Sequence, residues 1–268
     1  MSAYLSCFGA AMRMALSYRA AALAGVATQL FWGLLRVFVF LAFFRAARSP
    51  ALLAMNVRQV IDYVWLGQAF YALMPVRADP SVEAMMRDGT IAYELARPVD
   101  LYSYWFARSA SLRIAPTLLR APPLLLLSAL LVPRSIGLSA PSGPAGLALF
   151  SLSLLLGVLI SSALMTLLSV FTLHTLKGEG AALLLTAGAW ILSSMVPAPL
   201  LPSGLRTLME WSPFAATMDL PFRFYVGQIT AGEALPILLR QLGWALLLVL
   251  MGQKLLGSAL ARVVVQGG

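Results

Sequence analysis

Long apolar stretches separated by short polar segments make up most of the chain. A helix needs about 20 mostly apolar residues to cross the hydrocarbon core of a membrane. The pattern predicts an all-α membrane protein, a single transmembrane domain over residues 1–268 with a six-span bundle at 20–262. The predicted transmembrane helices lie at residues 20–44, 59–77, 104–132, 145–174, 180–197 and 236–262.

The first 19 residues have a different pattern. Leu5, Phe8, Met12 and Leu16 recur at spacings of three and four residues, which places an apolar stripe on one face of a helix. We expect an N-terminal amphipathic helix over residues 1–19 that lies in the membrane interface and leads into the first span. A frayed polar tail is the alternative.

Two short helices are predicted between the second and third spans, in residues 78–103. Asp79 is a natural N-cap because proline follows it at the first helical position. Gly89 is a natural helix stop, and Thr90 can cap a second short helix. That helix ends before Pro98, since the residue before a proline avoids the α region, and Asp100 can cap the third span. Helices with their own caps predict a rigid docking element.

The polar segment between the fifth and sixth spans, residues 197–235, is rich in proline. Its apolar pieces at 200–209 and 214–226 are too short to span a membrane, so we expect a re-entrant or interfacial segment. Irregular backbone survives at membrane depth only where protein or water covers it. This segment is predicted to cap the bundle on the non-cytoplasmic side.

Composition agrees with a membrane protein. The chain is 60% hydrophobic and 11% charged, with a mean hydropathy of +0.86. Soluble domains carry about 25% charged residues, and disorder requires low hydrophobicity, so both classes are excluded. The net charge is +9, but the basic residues are scattered, which favours contact with membrane lipid over nucleic acid. Their slight excess on the side of the termini predicts that both termini are cytoplasmic.

Signals for catalysis and for ATP binding are missing from the sequence. Cys7 and His174 are the only cysteine and histidine. The chain therefore cannot form an intrachain disulfide, a cysteine metal cluster or a histidine-rich metal site. No phosphate-binding loop of the P-loop type is present. The predicted spans have no acidic residue near their centres, which predicts that any transport draws its energy from elsewhere.

The charged residues that do fall inside predicted spans are basic. Arg36 lies in the first span, and Arg113 and Arg120 lie two turns apart in the third. A central arginine costs about 3 kcal/mol on insertion scales, so it should face a partner or water. We expect Arg113 and Arg120 to form an anion-attracting or subunit-contact face. The three arginines, with Gln29, are the candidates for lining a translocation pathway. Snorkelling of the side chains to the interface is the alternative.

Five stretches of the chain, taken in order, carry a family resemblance. They are residues 15–19, 88–100, 211–214, 221–227 and 262–268. Together they resemble the ABC-2 type permeases of ABC transporters, and the closer resemblance is to the bacterial branch described as ABC-2 family transporter proteins. The resemblance covers nearly the whole chain, although the exit of the fifth span, at 193–199, departs from the family pattern.

The resemblance implies a permease subunit of an exporter in the bacterial cytoplasmic (inner) membrane. Such a permease binds no cofactor itself, because ATP and Mg bind to a separate ABC ATP-binding subunit. It pairs with a second permease chain, either identical or related, so that a homodimer or a heterodimer results. Residues 81–98 correspond to the coupling helix on the cytoplasmic side, and residues 200–226 to an external gate.

The resemblance also assigns candidate residues to each role. The ATPase-coupling candidates are Arg87, Asp88, Gly89, Glu94, Arg97 and Pro98. The external-gate candidates are Pro197, Pro213, Phe214 and Pro221. Two other classes stay open. One is a membrane-embedded lipid-modifying enzyme with Arg113 and Arg120 as phosphate binders, although it lacks acid–base pairs. The other is a secondary carrier.

Overall fold

The computed structural model describes residues 2–17, 19–47, 53–76, 79, 82, 84–85, 88–95, 98–175, 179–193 and 196–261. All regular structure in these residues is helical. The α-helices are α1 (Ser2–Ser17), α2 (Arg19–Ala46), α3 (Val57–Ala69), α4 (Ile91–Leu95), α5 (Leu101–Leu130), α6 (Pro144–Thr175), α7 (Glu179–Leu192), α8 (Ser203–Trp211), α9 (Asp219–Tyr225) and α10 (Ala234–Leu260).

The long helices follow the predicted spans, but two of them are shorter than predicted. The predicted second span, 59–77, is α-helical only to Ala69, and a 3-10 turn at Tyr71–Leu73 and extended backbone at Met74 follow. Met74 precedes a proline, which disfavours the α conformation there. The predicted fifth span, 180–197, is helical only to Leu192. Three helices of the described chain are long and apolar enough to cross a membrane, at Ala24–Ala46, Pro144–Leu173 and Ala231–Leu260.

Helix α6 is the centre of the bundle. It packs against α5, α9 and α10, and two thirds of its most apolar window is buried. Its small residues allow close approach of neighbouring backbone. A Cβ atom at Gly157 would overlap the carbonyl oxygen of Thr217, in the segment before α9. Buried Gln241 of α10 adds a polar link, because it accepts from Ser153 Oγ at 2.9 Å and donates to the Ala216 carbonyl at 2.8 Å.

One end of the bundle, here called the cap end, joins the start of α3, the loop 131–143 and the end of α9. Asp62 Oδ1 accepts from Arg58 Nη2 and from the Ser139 backbone N–H, both at 2.7 Å. Arg58 also donates to the carbonyls of Arg134 and Gly137. Tyr225 Oη donates to the Ser139 carbonyl at 2.8 Å. Asp62 lies near the start of the predicted second span, 59–77, and its bonds connect α3 to the loop 131–143.

The N-terminal segment is helical, as predicted, and α1 packs against α5. Within the predicted apolar stripe, Phe8 and Met12 are half-buried, whereas Leu5 is 67% and Leu16 50% exposed. The predicted apolar stripe is therefore only partly covered by protein, and Leu5 and Leu16 remain available to lipid. The frayed-tail alternative is wrong for residues 2–17. Placement of α1 in the membrane interface stays a prediction.

Close packing of α6 against the segment before α9 makes a stability prediction. Gly157→Ala should destabilise the protein by about 1–3 kcal/mol, because the new methyl group meets backbone that cannot rotate away. Gly243→Ala in α10 is the matched control, since no atom lies within 4 Å of its added Cβ and alanine favours a helix. Thermal unfolding of the two purified variants in detergent compares them. Equal midpoints would contradict the packing described here.

Candidate functional sites

The segment between α3 and α5 is anchored to the opposite end of the bundle, here called the loop end. Val82 is 2% exposed and belongs to a buried cluster formed by the start of α5 and the ends of α6 and α10. Burying an aliphatic side chain of this size contributes about 1.5–3 kcal/mol. The cluster consists of Val82, Leu101, Tyr102, Trp105, Val170, Leu173, Leu256 and Ala259.

Glu94 of α4 faces inward, toward α5. Its side chain is 5% exposed, and its Oε2 accepts a hydrogen bond from Trp105 Nε1 at 3.1 Å. Arg108 of α5 pairs with Glu94 at 3.8 Å and also with Asp79. Glu94 therefore anchors α4 within the chain, and a contact of Glu94 with another subunit stays a prediction. A single sequence could not show this anchoring, because the partners of Glu94 lie on α5.

Two of the predicted caps of this segment, at Gly89 and Asp100, are present. Gly89 has a φ of 71°, the left-handed conformation that glycine adopts most easily. Asp100 accepts from the Ser103 backbone N–H at 2.8 Å and so caps α5. Asp88, Gly89 and Pro98 are exposed, as the coupling prediction requires. Arg87 and Arg97 lie outside the described residues.

Tyr93 is a residue of this segment that the sequence reasoning missed. It is 78% exposed, while its neighbour Glu94 in α4 is buried. A large aromatic residue within the predicted short helix between Thr90 and Pro98 is the sequence signal that was available. The exposed surface formed by Asp88, Gly89, Tyr93 and Pro98 is called the tip below.

A cavity of about 420 Å³ lies between α2, α3, α5 and α7. Helix α2 lines one side of the cavity, because spacings of three and four residues place these side chains on the same face of the helix. Three of the four predicted pathway residues, Gln29, Arg36 and Arg120, line this cavity. The α2 residues are Gly25, Thr28, Gln29, Trp32 and Arg36, and the other walls carry Gln68, Tyr71, Arg120 and Trp190.

Arg113, the fourth predicted pathway residue, is not part of the cavity lining. It is 6% exposed. Its Nε donates to Ser161 Oγ of α6 at 3.0 Å, and its Nη1 donates to the Ser109 carbonyl at 2.8 Å. Arg113 and Arg120 start from similar positions on α5 but reach different neighbours, because Arg113 turns to α6 and Arg120 lies beside Gly25 of α2. Arg113 therefore joins two helices.

Residues 197–230, here called the cap, contain a buried ionic network. Asp219 is fully buried, and its Oδ1 accepts from Tyr63 Oη at 2.7 Å and from the Ala198 N–H at 3.1 Å. Arg223 pairs with Asp219 at 3.4 Å and with Glu210 at 2.9 Å. Burial raises the pKa of the Asp219 carboxyl, and Arg223 and the two hydrogen bonds oppose that shift.

The predicted gate residues lie within this packed cap. Pro197 is buried and precedes a 3-10 turn at Ala198–Leu200. Pro221 is buried in the first turn of α9, where a proline needs no hydrogen-bond donor. Half-buried Phe214 lies against α7, since a Cβ at Gly188 would be 3.2 Å from its ring. Pro213 is half-buried in the preceding turn. A gating role for these residues stays a prediction.

Among the described residues, no group of three or more histidine, cysteine, aspartate or glutamate side chains could hold a metal ion. The apolar helices of membrane length indicate a multi-pass membrane protein. A family model described as "ABC-2 family transporter protein" matches residues 30–267. The chain belongs to this family. It is thus a membrane component of an ABC transporter, a class that associates with an ABC ATPase subunit. Comparison with curated proteins gives no match.

The cap network predicts that two arginines bound to the same carboxylate differ in importance. Arg223 and Arg206 both pair with Glu210, but their side chains are 8% and 39% exposed. Arg223→Gln should cost about 3–5 kcal/mol, because it leaves buried Asp219 without its counter-ion. Arg206→Gln should cost about 1 kcal/mol or less. Thermal unfolding in detergent measures both, and a larger effect of Arg206→Gln would contradict the assignment.

Proposed function

We propose that the chain is the transmembrane permease subunit of an ATP-driven exporter in the bacterial inner membrane. In this proposal the chain crosses the membrane six times and pairs with a second permease chain, identical or related. Two separate ATP-binding subunits hold ATP and Mg and dock at the loop end. Closure of those subunits then moves the bundle and passes a substrate toward the cap end.

The observation that carries this proposal is the way residues 79–100 are fixed to the bundle. Val82 is buried among α5, α6 and α10, and Glu94 binds Trp105 and Arg108 of α5. A segment fastened in this way transmits a displacement to the helices as a rigid body, whereas a flexible linker would absorb it. The tip remains exposed for a partner, and the family match makes an ABC ATPase subunit the expected one.

The positions of the buried acidic residues also support transport that is driven by ATP hydrolysis on another subunit. Buried Asp62 is engaged by Arg58 and by the Ser139 N–H at the cap end, and Asp219 is engaged within the cap. Both carboxylates therefore form structural ion pairs and hydrogen bonds at the cap end of the bundle. A proton- or sodium-coupled carrier commonly places such groups along its pathway, so the arrangement favours ATP-driven transport over a secondary carrier.

The positions of the two polar segments support the proposed sidedness. Val82 lies with the start of α5 and the ends of α6 and α10, while the cap lies with the opposite helix ends. If the loop end is cytoplasmic, the cap faces the outside. The cap then covers the exit of the bundle, and Pro197, Pro213, Phe214 and Pro221 belong to the part that must move for release.

The docking role is tested at the tip. Tyr93→Ala combined with Asp88→Arg should reduce co-isolation of the ATP-binding subunit by about tenfold or more, because an exposed aromatic anchor is lost and a charge is reversed. Both residues are exposed, so insertion and thermal stability should be unchanged. The measurement is mild-detergent isolation of the tagged chain from its native membrane, with ATP hydrolysis by the isolated complex.

Leu205→Ala is the matched control, because Leu205 is a half-exposed apolar residue of α8 at the cap end. It should leave co-isolation at the wild-type level. Loss of the ATP-binding subunit in the Leu205 variant, with full retention in the tip variant, would contradict the proposed docking surface.

A further inference from the structure

The cavity between α2 and α5 contains polar atoms that the protein itself leaves unsatisfied. Gln29 Oε1 and Arg120 Nε are buried and have no hydrogen-bond partner among the described residues. A buried polar group without a partner costs about 1–3 kcal/mol, and a charged one costs more. In contrast, the Nε of Arg113 on the same helix α5 donates to Ser161, and its Nη1 donates to Ser109. The contrast indicates that Arg120 is arranged for a ligand.

The charge of the cavity has one sign. Arg36 and Arg120 supply two guanidinium groups, and none of the described lining residues is acidic. Arginine at membrane depth is expensive unless it meets an anion or water. A planar guanidinium matches the oxygens of phosphate and carboxylate groups, with which it forms paired hydrogen bonds. Two arginines in one cavity therefore favour an anionic oxygen group between them.

The remaining walls of the cavity suit the rest of an amphiphilic ligand. Tyr71 and Trp190 form an aromatic pair with ring centroids 5.9 Å apart, and Trp32 of α2 is half exposed beside them. Thr28 is also exposed, so the cavity opens along α2. The volume of about 420 Å³ lies in the range of small-molecule sites.

Gly25 is part of this arrangement. A Cβ atom there would lie 3.2 Å from Cζ of Arg120. The absence of a side chain lets the guanidinium of Arg120 lie across α2, next to the face that carries Gln29 and Arg36. A larger residue at position 25 would fill the cavity without removing a charge.

We propose that this cavity binds an anionic phosphate- or carboxylate-type group of the molecule that the transporter moves. Arg36 and Arg120 hold the anion, and the Gln29 carboxamide oxygen accepts from a hydroxyl or N–H group of the same molecule. Trp32, Tyr71 and Trp190 contact the adjoining apolar part. The inference rests on the proposed transport function and names the chemical class of its substrate.

The test measures binding to the purified chain in zwitterionic detergent without the ATP-binding subunit. Brominated phosphatidylglycerol and brominated phosphatidylcholine are the probes, and quenching of tryptophan fluorescence is the signal, since Trp32 and Trp190 line the cavity. We expect saturable quenching by the anionic lipid at concentrations about tenfold lower than by the zwitterionic one. Inorganic phosphate and hexyl phosphate are added as competitors.

The variants distinguish loss of a positive charge in the cavity from a general effect on the fold. Arg36→Gln and Arg120→Gln should each weaken the anionic probe about tenfold or more, since each removes a charge-assisted contact. Arg120→Lys should retain part of the affinity, and Gly25→Leu should block binding with all charges present. Arg45→Gln is the matched control, because Arg45 is exposed in the last turn of α2, outside the cavity, and it should bind as the wild type does.

The competitors identify the kind of anion, and the two lipids and the arginine variants test whether the anion site exists. Competition by inorganic phosphate assigns the anion to a free phosphate, and competition by hexyl phosphate alone assigns it to an amphiphile. Equal quenching by the two lipids, or wild-type affinity in both Arg36→Gln and Arg120→Gln, overturns the proposal. Because this assay needs no ATPase and the co-isolation assay needs no ligand, failure of the anion site is distinguishable from failure of the proposed function.

Discussion

The need to satisfy polar groups inside an apolar bundle determines how this protein is held together. With 11% charged residues, the chain has few groups that can fix one helix against another specifically. Asp62, Arg113 and Asp219 are buried, and each joins elements that are distant in sequence: the start of α3 to the loop 131–143, α5 to α6, and the cap to α3. Since lipid is as apolar as a leucine side chain, such contacts and close backbone packing give a membrane bundle its unique arrangement.

The same constraint separates structural from functional candidates. Arg113 and Arg120 look alike in the sequence, as arginines two turns apart in one predicted span. In the structure Arg113 has partners on α5 and α6, whereas the Nε of Arg120 has none and adjoins a cavity shared with Arg36. At the loop end, Glu94 has inward partners and anchors α4 to α5, whereas Asp88, Tyr93 and Pro98 are exposed.

Local signals in the sequence predicted local structure well. The N-cap Asp100 and the left-handed Gly89 follow from preferences of one or two residues, and both are present. The lengths of α3 and α7 were overestimated, because apolar composition continues past the helix ends. The inward turn of Glu94 and the Asp219 network depend on helices far away in the chain. An acid and an arginine four residues apart, as Asp219 and Arg223 are, was the one available sign of the latter.

In the proposed mechanism the tip, formed by Asp88, Gly89, Tyr93 and Pro98, meets an ATP-binding subunit at the cytoplasmic end of the bundle. Cross-linking from single cysteines tests it most directly, in a chain whose only native cysteine, Cys7, is replaced by serine. Tyr93→Cys should cross-link to the ATP-binding subunit in native membranes, and Leu205→Cys in the cap should not. Cross-linking from position 205 with none from position 93 would contradict the account.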